Sequence, residues 1–365
     1  MNIHHQETAH DPGLPVEFRG DWKEYAGIAI PNFLLTIVTL GIYRFWAIAR
    51  ERRYLWSRTH AAGDPLEWTG TGKEMFIGFV LVALIVLLPF YLVVQWVVPA
   101  LVARGQDLAA GLLTLLVYLG IGALGGTAMF RALRYRLSRT WWRGIRGGSD
   151  EPGFAYGGQT LGYGILSAIS LGLAYPWTQA QLWNSRWNEM EFGSMRFDAR
   201  LEAGELYPRW LLLYLVPFVG IIAFIAGGAA IFSSAAQSSV DAAGGGFVGF
   251  IVAILVVFYI LMPLLFLAYH AKYLRAAVEA TTIGEVQPHF RARTLQWIWL
   301  WVGNIALAVV TLGIGALFWS YRNWKFVVSH LELEGRIDPD QLAQSQTEAP
   351  GDAEGLADAF DIGAF

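Results

Sequence analysis

Apolar positions run almost unbroken through four long segments, Met75 to Ala103, Leu108 to Phe130, Pro208 to Phe232 and Phe247 to Ala271. Each reaches the ~20 residues a helix needs to cross hydrocarbon, so the pattern predicts four membrane-spanning helices. Three shorter apolar runs, Tyr25 to Val38, Leu161 to Ile169 and Gln296 to Val310, each lead into a Thr/Ser-Leu-Gly triplet: Thr39-Leu40-Gly41, Ser170-Leu171-Gly172 and Thr311-Leu312-Gly313. Beyond each triplet the chain turns aromatic and basic, with Trp46, Arg50 and Tyr54 after the first, Trp177 after the second, and Trp319, Arg322 and Phe326 after the third. Period-two alternation at Val16-Glu17-Phe18-Arg19, Leu66-Glu67-Trp68-Thr69, Met195-Arg196-Phe197-Asp198 and Leu331-Glu332-Leu333-Glu334 predicts small strands beside these runs.

The first and third triplets keep one register: Phe18 and Phe290 each precede an Asn by 14 positions (Asn32, Asn304) and the triplet threonine by 21. Shared spacing marks them as internal repeats. The middle copy is looser, and the third inserts one residue before Trp319. The run from Tyr25 to Val38 would form only about 21 Å of helix, too short to cross, and Gly41 can end it in a tight turn. Each repeat is therefore expected to be a helical hairpin, re-entrant or interfacial, with its second arm at headgroup level.

Charge sharpens this layout. If the hairpins enter and leave by one face, 25 of the 26 Lys and Arg lie on that face and Arg104 is the exception, whereas seven crossings would divide the cations almost evenly. The positive-inside bias then puts the hairpins and both termini in the cytoplasm. The expected fold is an all-α integral membrane protein with four spanning helices, three repeated Gly-broken helical hairpins and minor cytoplasmic β-strands. The expected units are a disordered N-terminal tail (1–15), a first hairpin with flanking strands (16–74), a first transmembrane pair (75–134), a second hairpin (135–207), a second pair (208–273), a third hairpin (274–336) and a disordered acidic tail (337–365). Ser233 to Gly246, small and polar, reads as a flexible outward loop.

Composition agrees: the chain is 55% hydrophobic and 15% charged, with a mean hydropathy of +0.42. That exceeds what a soluble domain of this length buries. The polar, His-rich start (His4, His5, His10) is unlike a cleavable signal. The absence of cysteine excludes disulfides, thiolate metal sites and cysteine nucleophiles.

Phe18-Arg19-Gly20, Glu24-Tyr25, Asn32, Leu34-Leu35-Thr36, Thr39-Leu40-Gly41-Ile42-Tyr43, Trp46-Ala47, Arg50, Arg53-Tyr54 and Gly70-Thr71-Gly72 resemble the signature of the YjgN-like family of bacterial inner-membrane proteins, a domain of unknown function. Arg139, Trp142-Arg143-Gly144-Ile145-Arg146 and Leu171 to Trp177 are similar to its central portion. The resemblance runs from about Phe18 to Leu333. It implies the bacterial cytoplasmic membrane and brings no activity with it.

Chemistry is sparse. The four predicted spans hold no Asp, Glu or Lys, and Arg209 alone at an edge, so the paired carboxylates of a charge-coupled pump are missing. Gly70-Thr71-Gly72-Lys73-Glu74 has the wrong spacing for a phosphate loop. No metal site, cofactor or catalytic arrangement is expected, and the chain does not read as an enzyme. Two candidate groups remain. Asn32, Thr36, Thr39, Asn304 and Thr311 are polar residues that would line a conduit between hairpins, or else tie helix to helix. The basic runs (Arg50, Arg52, Arg53, Arg58; Arg131, Arg134, Arg136, Arg139, Arg143, Arg146) interleave with rings and could bind anionic lipid headgroups or a phosphorylated ligand, and from them Trp46, Arg50, Arg53, Tyr54, Arg139, Trp142, Arg143 and Arg146 form the candidate site for anionic lipid. Read as topology signal and aromatic belt, the same residues need no ligand. The expected partners are membrane lipids on the cytoplasmic side, with room for a membrane-protein partner and no nucleic acid. The expected function is transport or channel-like passage of a small solute or lipid; the alternative is a non-catalytic envelope scaffold that binds anionic lipid or a membrane partner.

Overall fold

The computed structural model describes residues 14–235, 248–249, 251–252, 255–335 and 343–348. Its frame is a set of ten short strands: β1 (Val16–Phe18), β2 (Thr59–Ala61), β3 (Asp64–Trp68), β4 (Thr140–Trp142), β5 (Ile145–Gly148), β6 (Glu191–Phe192), β7 (Met195–Ala199), β8 (Thr281–Ile283), β9 (Gln287–Phe290) and β10 (Leu331–Glu334). The first eight pair antiparallel in sequence order as one curled sheet, and β9 pairs with β10. Two single bridges join the ends, Ile283 to Val286 and Leu14 to Leu333, the latter by a 2.8 Å bond from the Leu14 N–H to the Leu333 carbonyl. The strand system thus closes on itself, and closure removes the exposed edges that short strands would otherwise present.

Five helical units depart from this ring, each bracketed by two strands that pair with each other. Between β1 and β2 stand α1 (Trp22–Val38) and α2 (Arg44–Ser57); between β3 and β4, α3 (Gly72–Ala103) and α4 (Asp107–Arg139); between β5 and β6, α5 (Phe154–Ile169) and α6 (Tyr175–Trp187). Between β7 and β8 lie α7 (Tyr207–Ala235) and α8 (Met262–Glu279), and between β9 and β10, α9 (Thr294–Val310) and α10 (Trp319–Ser329).

This corrects the expected fold class. The strands are the frame, not a minor addition to an all-α bundle. Where four spanning helices are expected, three described helices are long and apolar enough: Gly72–Ala103, Asp107–Arg139 and the Tyr207–Ala230 part of α7. The fourth expected span, Phe247 to Ala271, includes residues outside those described. Its continuation, α8, carries His270, Lys272, Arg275 and Glu279 and buries Tyr269, Tyr273, Leu274 and Ala277 in a core shared with α6 and the strand ends. The expected loop from Ser233 falls within α7 as far as Ala235, and the rest of it, like the tails 1–13 and 349–365, lies outside the described residues. Within the acidic tail, 343–348 packs on the ring: Gln344 bonds both the Gly144 carbonyl (2.9 Å) and the Arg146 N–H (3.1 Å), and the Ser345 hydroxyl donates to Glu191 (2.7 Å).

Strand alternation separates two faces. Leu66, Trp68, Phe197 and Phe290 point toward the helices, while Glu17, Glu67, Arg196 and Glu332 point away and are exposed. Where three helices meet the ring a common device appears. The first residue of the following strand is threonine, and its hydroxyl donates back to the helix carbonyl four residues earlier: Thr59 to Leu55, Thr140 to Arg136 and Thr281 to Ala277, each at 2.8 Å. Each of those hydroxyls also accepts an indole N–H at 2.9 Å from another unit: Trp324 on Thr59, Trp56 on Thr140 and Trp183 on Thr281. A buried indole needs a partner, so these bonds fix which helix sits over which strand.

The three units with triplets turn alike. Leu40, Leu171 and Leu312 adopt the left-handed conformation (φ 51°, 52° and 51°), and Gly41, Gly172 and Gly313 follow at φ 92°, 89° and 95°. The glycine N–H bonds the carbonyl five residues back, Thr36, Ser167 or Ala308, at 2.7 Å in each case, which closes a Schellman turn. The triplet hydroxyl caps the next helix by accepting the N–H of Tyr43, Ala174 or Gly315. In the third unit a 3₁₀ turn, Ile314–Phe318, takes up the inserted residue. The first arms are 17, 16 and 17 residues long, about 25 Å of helix. Their tips are apolar and bare, with Leu40 and Leu312 each 94% exposed.

The long helices have their own local logic. In α3, wide π turns at Ala83–Leu87 and Val93–Val97 precede Pro89 and Pro99, and another at Val257–Leu261 precedes Pro263. Proline lacks the N–H and crowds the carbonyl one turn back; the widened turn makes room. Helices α4 and α5 approach closely through glycine, since a Cβ at Gly157 would fall 2.2 Å from the Thr127 hydroxyl, whereas one at Gly158 meets open space. Gly157→Leu is therefore expected to lower the thermal midpoint in detergent by roughly 5 °C or more. Gly158→Leu should leave it in place, and equal midpoints for the pair would contradict this packing.

Candidate functional site

The polar interior lies between the first and third hairpin units, in a cavity of about 600 Å³. One wall is α1, with Ala29, Asn32, Phe33 and Thr36; the opposite wall carries Ser320, Asn323 and Trp324 of α10. Helix α2 runs along it with a full stripe, Arg44, Ala47, Ile48, Glu51, Arg52 and Leu55, and α4 adds Arg136. From Arg44 in the first turn of α2 to Trp56 in its last is about 18 Å, so the cavity is a cleft that follows the hairpin from tip to strands. Trp56 stacks on Trp324 at its strand end (centroids 4.2 Å apart).

Each group has a physical support. Arg52 is buried to 6% exposure and lies over the Trp68 ring at 5.0 Å. The fully buried Tyr25 hydroxyl donates to Glu51 at 3.1 Å. Burial, then the Glu51 charge, holds the Tyr25 pKa above the ordinary phenol value, so it remains a donor at neutral pH. A larger cavity of about 700 Å³ lies between α7 and α8, lined by Trp210, Leu213, Phe218, Met262 and Phe266 among others, and offers little polar chemistry.

The five conduit candidates separate into different jobs. Asn32 and Thr36 line the cleft. Asn32 also ties α1 to α2, donating to the Ala47 carbonyl (3.2 Å) and accepting from Arg50 (3.3 Å). Asn304 does not reach the cleft; it donates to Asn323 (2.9 Å), which does, and its own Oδ1 is buried without a hydrogen-bond partner. Thr39 and Thr311 cap the turns.

The lipid candidates are not gathered into one patch. Trp46 packs on Gly72, where an added Cβ would lie 2.6 Å from the Trp46 Cα. Arg50 donates to Asn32 and Tyr43; Arg53 is exposed on α2; the Tyr54 hydroxyl clamps the start of α1 through Asp21. Arg139 pairs with Glu74, the Trp142 indole donates to the Ala61 carbonyl, Arg143 pairs with Asp64, and Arg146 reaches Thr347 in the docked tail. Of the groups that do converge on the cleft, Arg52 and Arg136 belong to the basic runs of the sequence, while Arg44, Glu51, Ser320 and Asn323 were not singled out there. Their signal is helical phase: 44, 47, 48, 51, 52 and 55 form one face of α2.

These features define a multi-span membrane protein class in which helical hairpins stand on one closed ring of strands with a polar cleft between two of them. The chain belongs to the family described as bacterial protein of unknown function (DUF898), which it matches over residues 13–359. It is similar to three curated proteins named Inner membrane protein YjgN. The one from Salmonella typhimurium (strain LT2) is 30% identical over 132 residues, 34% of this chain and 32% of that protein. The one from Escherichia coli O157:H7 is 23% identical over 245 residues, 59% and 60% of the two chains, and that of strain K12 is 26% identical over 164 residues, 45% and 38%. The chain thus spans about a third to three fifths of these relatives' length. No solved structure matches it.

Because Asn32 bridges two helices from a buried position, Asn32→Leu removes the bonds that tie α1 to the Ala47 carbonyl and to Arg50, at a cost of about 1 kcal/mol or more. Thermal unfolding is expected to show a clear loss for Asn32→Leu and a smaller one for Thr36→Val, whose hydroxyl returns only to its own helix at Asn32. The reverse order would contradict the bridging role.

Proposed function

We propose that this chain is a protein of the bacterial inner membrane that passes a small polar solute or a lipid headgroup along the cleft between its first and third hairpins. The observation that carries the proposal is the cleft itself: a polar cavity of about 600 Å³ that follows α2 from the hairpin tip to the strand ring. Broken helices that leave polar groups at membrane depth are a common way to build a solute path, and irregular backbone is tolerated there where it lines a cavity. The name of the YjgN relatives supports the inner membrane as the location. The cation distribution supports a cytoplasmic strand ring with both termini on that side.

A second reading is favoured by the tips. Leu40 and Leu312 accept a left-handed backbone that costs an L-residue about 1–2 kcal/mol, and they are almost wholly exposed. Apolar tips of that kind suit a scaffold held in the acyl layer that binds lipid or a membrane partner and moves no solute.

The lack of native cysteine makes the test clean. Thr36→Cys and Ser320→Cys in membranes are expected to react with a water-soluble, charged thiosulfonate, and Leu84→Cys, exposed on the spanning helix α3, is expected not to. Protection of both cleft cysteines to the level of Leu84→Cys would leave the scaffold reading in place and remove the solute path.

A further inference from the structure

Two glycines stand side by side in β5 and serve opposite faces. Gly147 turns toward α4, where an added Cβ would lie 3.0 Å from the Leu137 Cβ. Gly148 turns the other way, and a Cβ there would collide with the Thr347 hydroxyl of the docked C-terminal segment. Glycine weakens a strand, and inside one it marks a place where another backbone comes close. That close backbone is segment 343–348.

The same strand offers backbone groups along its edge. β6 pairs with β5 at Gly148–Glu191 and Gly147–Phe192 and ends there; the Gly193 N–H adds one bond to the Arg146 carbonyl (3.0 Å). Next along that edge come the Arg146 N–H and the Gly144 carbonyl. The Gln344 amide takes both, accepting from the first (3.1 Å) and donating to the second (2.9 Å). Open edge groups of this kind are what an extended peptide pairs with. Side chains set which peptide fits. The Ser345 hydroxyl donates to Glu191 (2.7 Å) and, with its proton committed there, accepts from the Thr347 hydroxyl (2.6 Å). Ser345 and Thr347 are each only 7% exposed. The Arg146 guanidinium donates to the Thr347 carbonyl, the Ala343 N–H to the Ser194 hydroxyl (3.3 Å) and the Glu348 N–H to Asp150 (3.2 Å). The segment therefore crosses the short joint between β5 and β6, the strands that bracket α5 and α6.

We propose that this face of the ring is a peptide-binding groove, built on Gly148 and the edge of β5, whose ligand is the chain's own segment Ala343–Glu348. The groove recognises a glutamine followed by hydroxyl residues one and three positions on, Gln344, Ser345 and Thr347. The segment is a ligand held in cis: it adds no strand to the ring and straps the β5–β6 joint from outside. The inference stands apart from the reading of the cleft as a solute path.

The test is amide hydrogen exchange of the full chain in detergent, measured at residues 343–348 and, as an internal reference, at β2 and β3. The wild-type segment is expected to exchange more slowly than a free peptide of the same sequence. Gly148→Val puts a side chain where the Thr347 hydroxyl lies, and valine favours strands, so it is expected to free the segment while β2 and β3 keep their protection. Gln344→Ala changes the strap and leaves the ring intact; it is expected to speed exchange of the segment about tenfold. Gln346→Ala, at an exposed amide that makes none of these bonds, is expected to change nothing. Exchange of the wild-type segment at the free-peptide rate, undiminished protection in Gly148→Val, or equal effects of Gln344→Ala and Gln346→Ala overturns the proposal. Should Gly148→Val also strip protection from β2 and β3, the comparison of Gln344→Ala with Gln346→Ala decides.

Discussion

The backbone hydrogen bonds that close the strand ring set the terms for everything else in this protein. No described strand is longer than five residues, and ribbons that short are not stable in isolation. Each is held because both its edges are paired, in series round the ring, with single bridges at Leu14–Leu333 and Ile283–Val286 making the last joins. It follows that every helical unit must leave one strand and return to that strand's neighbour. Helices leave and return two to a unit, and the three triplet hairpins fold back at their tips, because a unit that ended anywhere else would open the ring. The Trp56–Thr140, Trp183–Thr281 and Trp324–Thr59 bonds lock the helices over that frame.

Some of this was legible in the sequence. Gly41, Gly172 and Gly313 mark the turns, and each has the positive φ that a tight reversal requires. Membrane character and the first three long apolar helices follow from hydropathy and length. The ring was not legible, because Trp68 pairs with Thr140 across the whole of α3 and α4, and Ala199 pairs with Thr281 more than eighty residues further on. Alternation over three to five residues shows that a strand is there and says nothing of its partner. Of the fourth expected span, Phe247 to Ala271, part lies outside the described residues, and its end runs into α8, whose later turns are packed against α6 and the strand ends.

The candidate site shows the same division. Asn32 and Thr36 were found because they are polar within an apolar run. Arg52 and Arg136 were named only as members of basic runs, and Arg44 and Glu51 not at all, because α2 is polar overall and reads as a surface helix. Its charged stripe lines the cleft, with Arg52 buried, Glu51 half-buried and Arg44 exposed, and its neighbours Arg50 and Tyr54 hold α1 in place. Charge density in a basic run identifies the side of a membrane; only helical phase identifies which of those charges face one another.

The central claim is that all five helical units stand on one ring at one face of the membrane. The direct measurement is sidedness at its exposed strand positions: Glu17→Cys, Glu67→Cys, Arg196→Cys and Glu332→Cys, on β1, β3, β7 and β10, labelled with an impermeant maleimide in right-side-out and inverted vesicles. The ring requires all four to be labelled from the same side, and the proposed topology makes that side the cytoplasm. Labelling of any two from opposite sides would contradict the account.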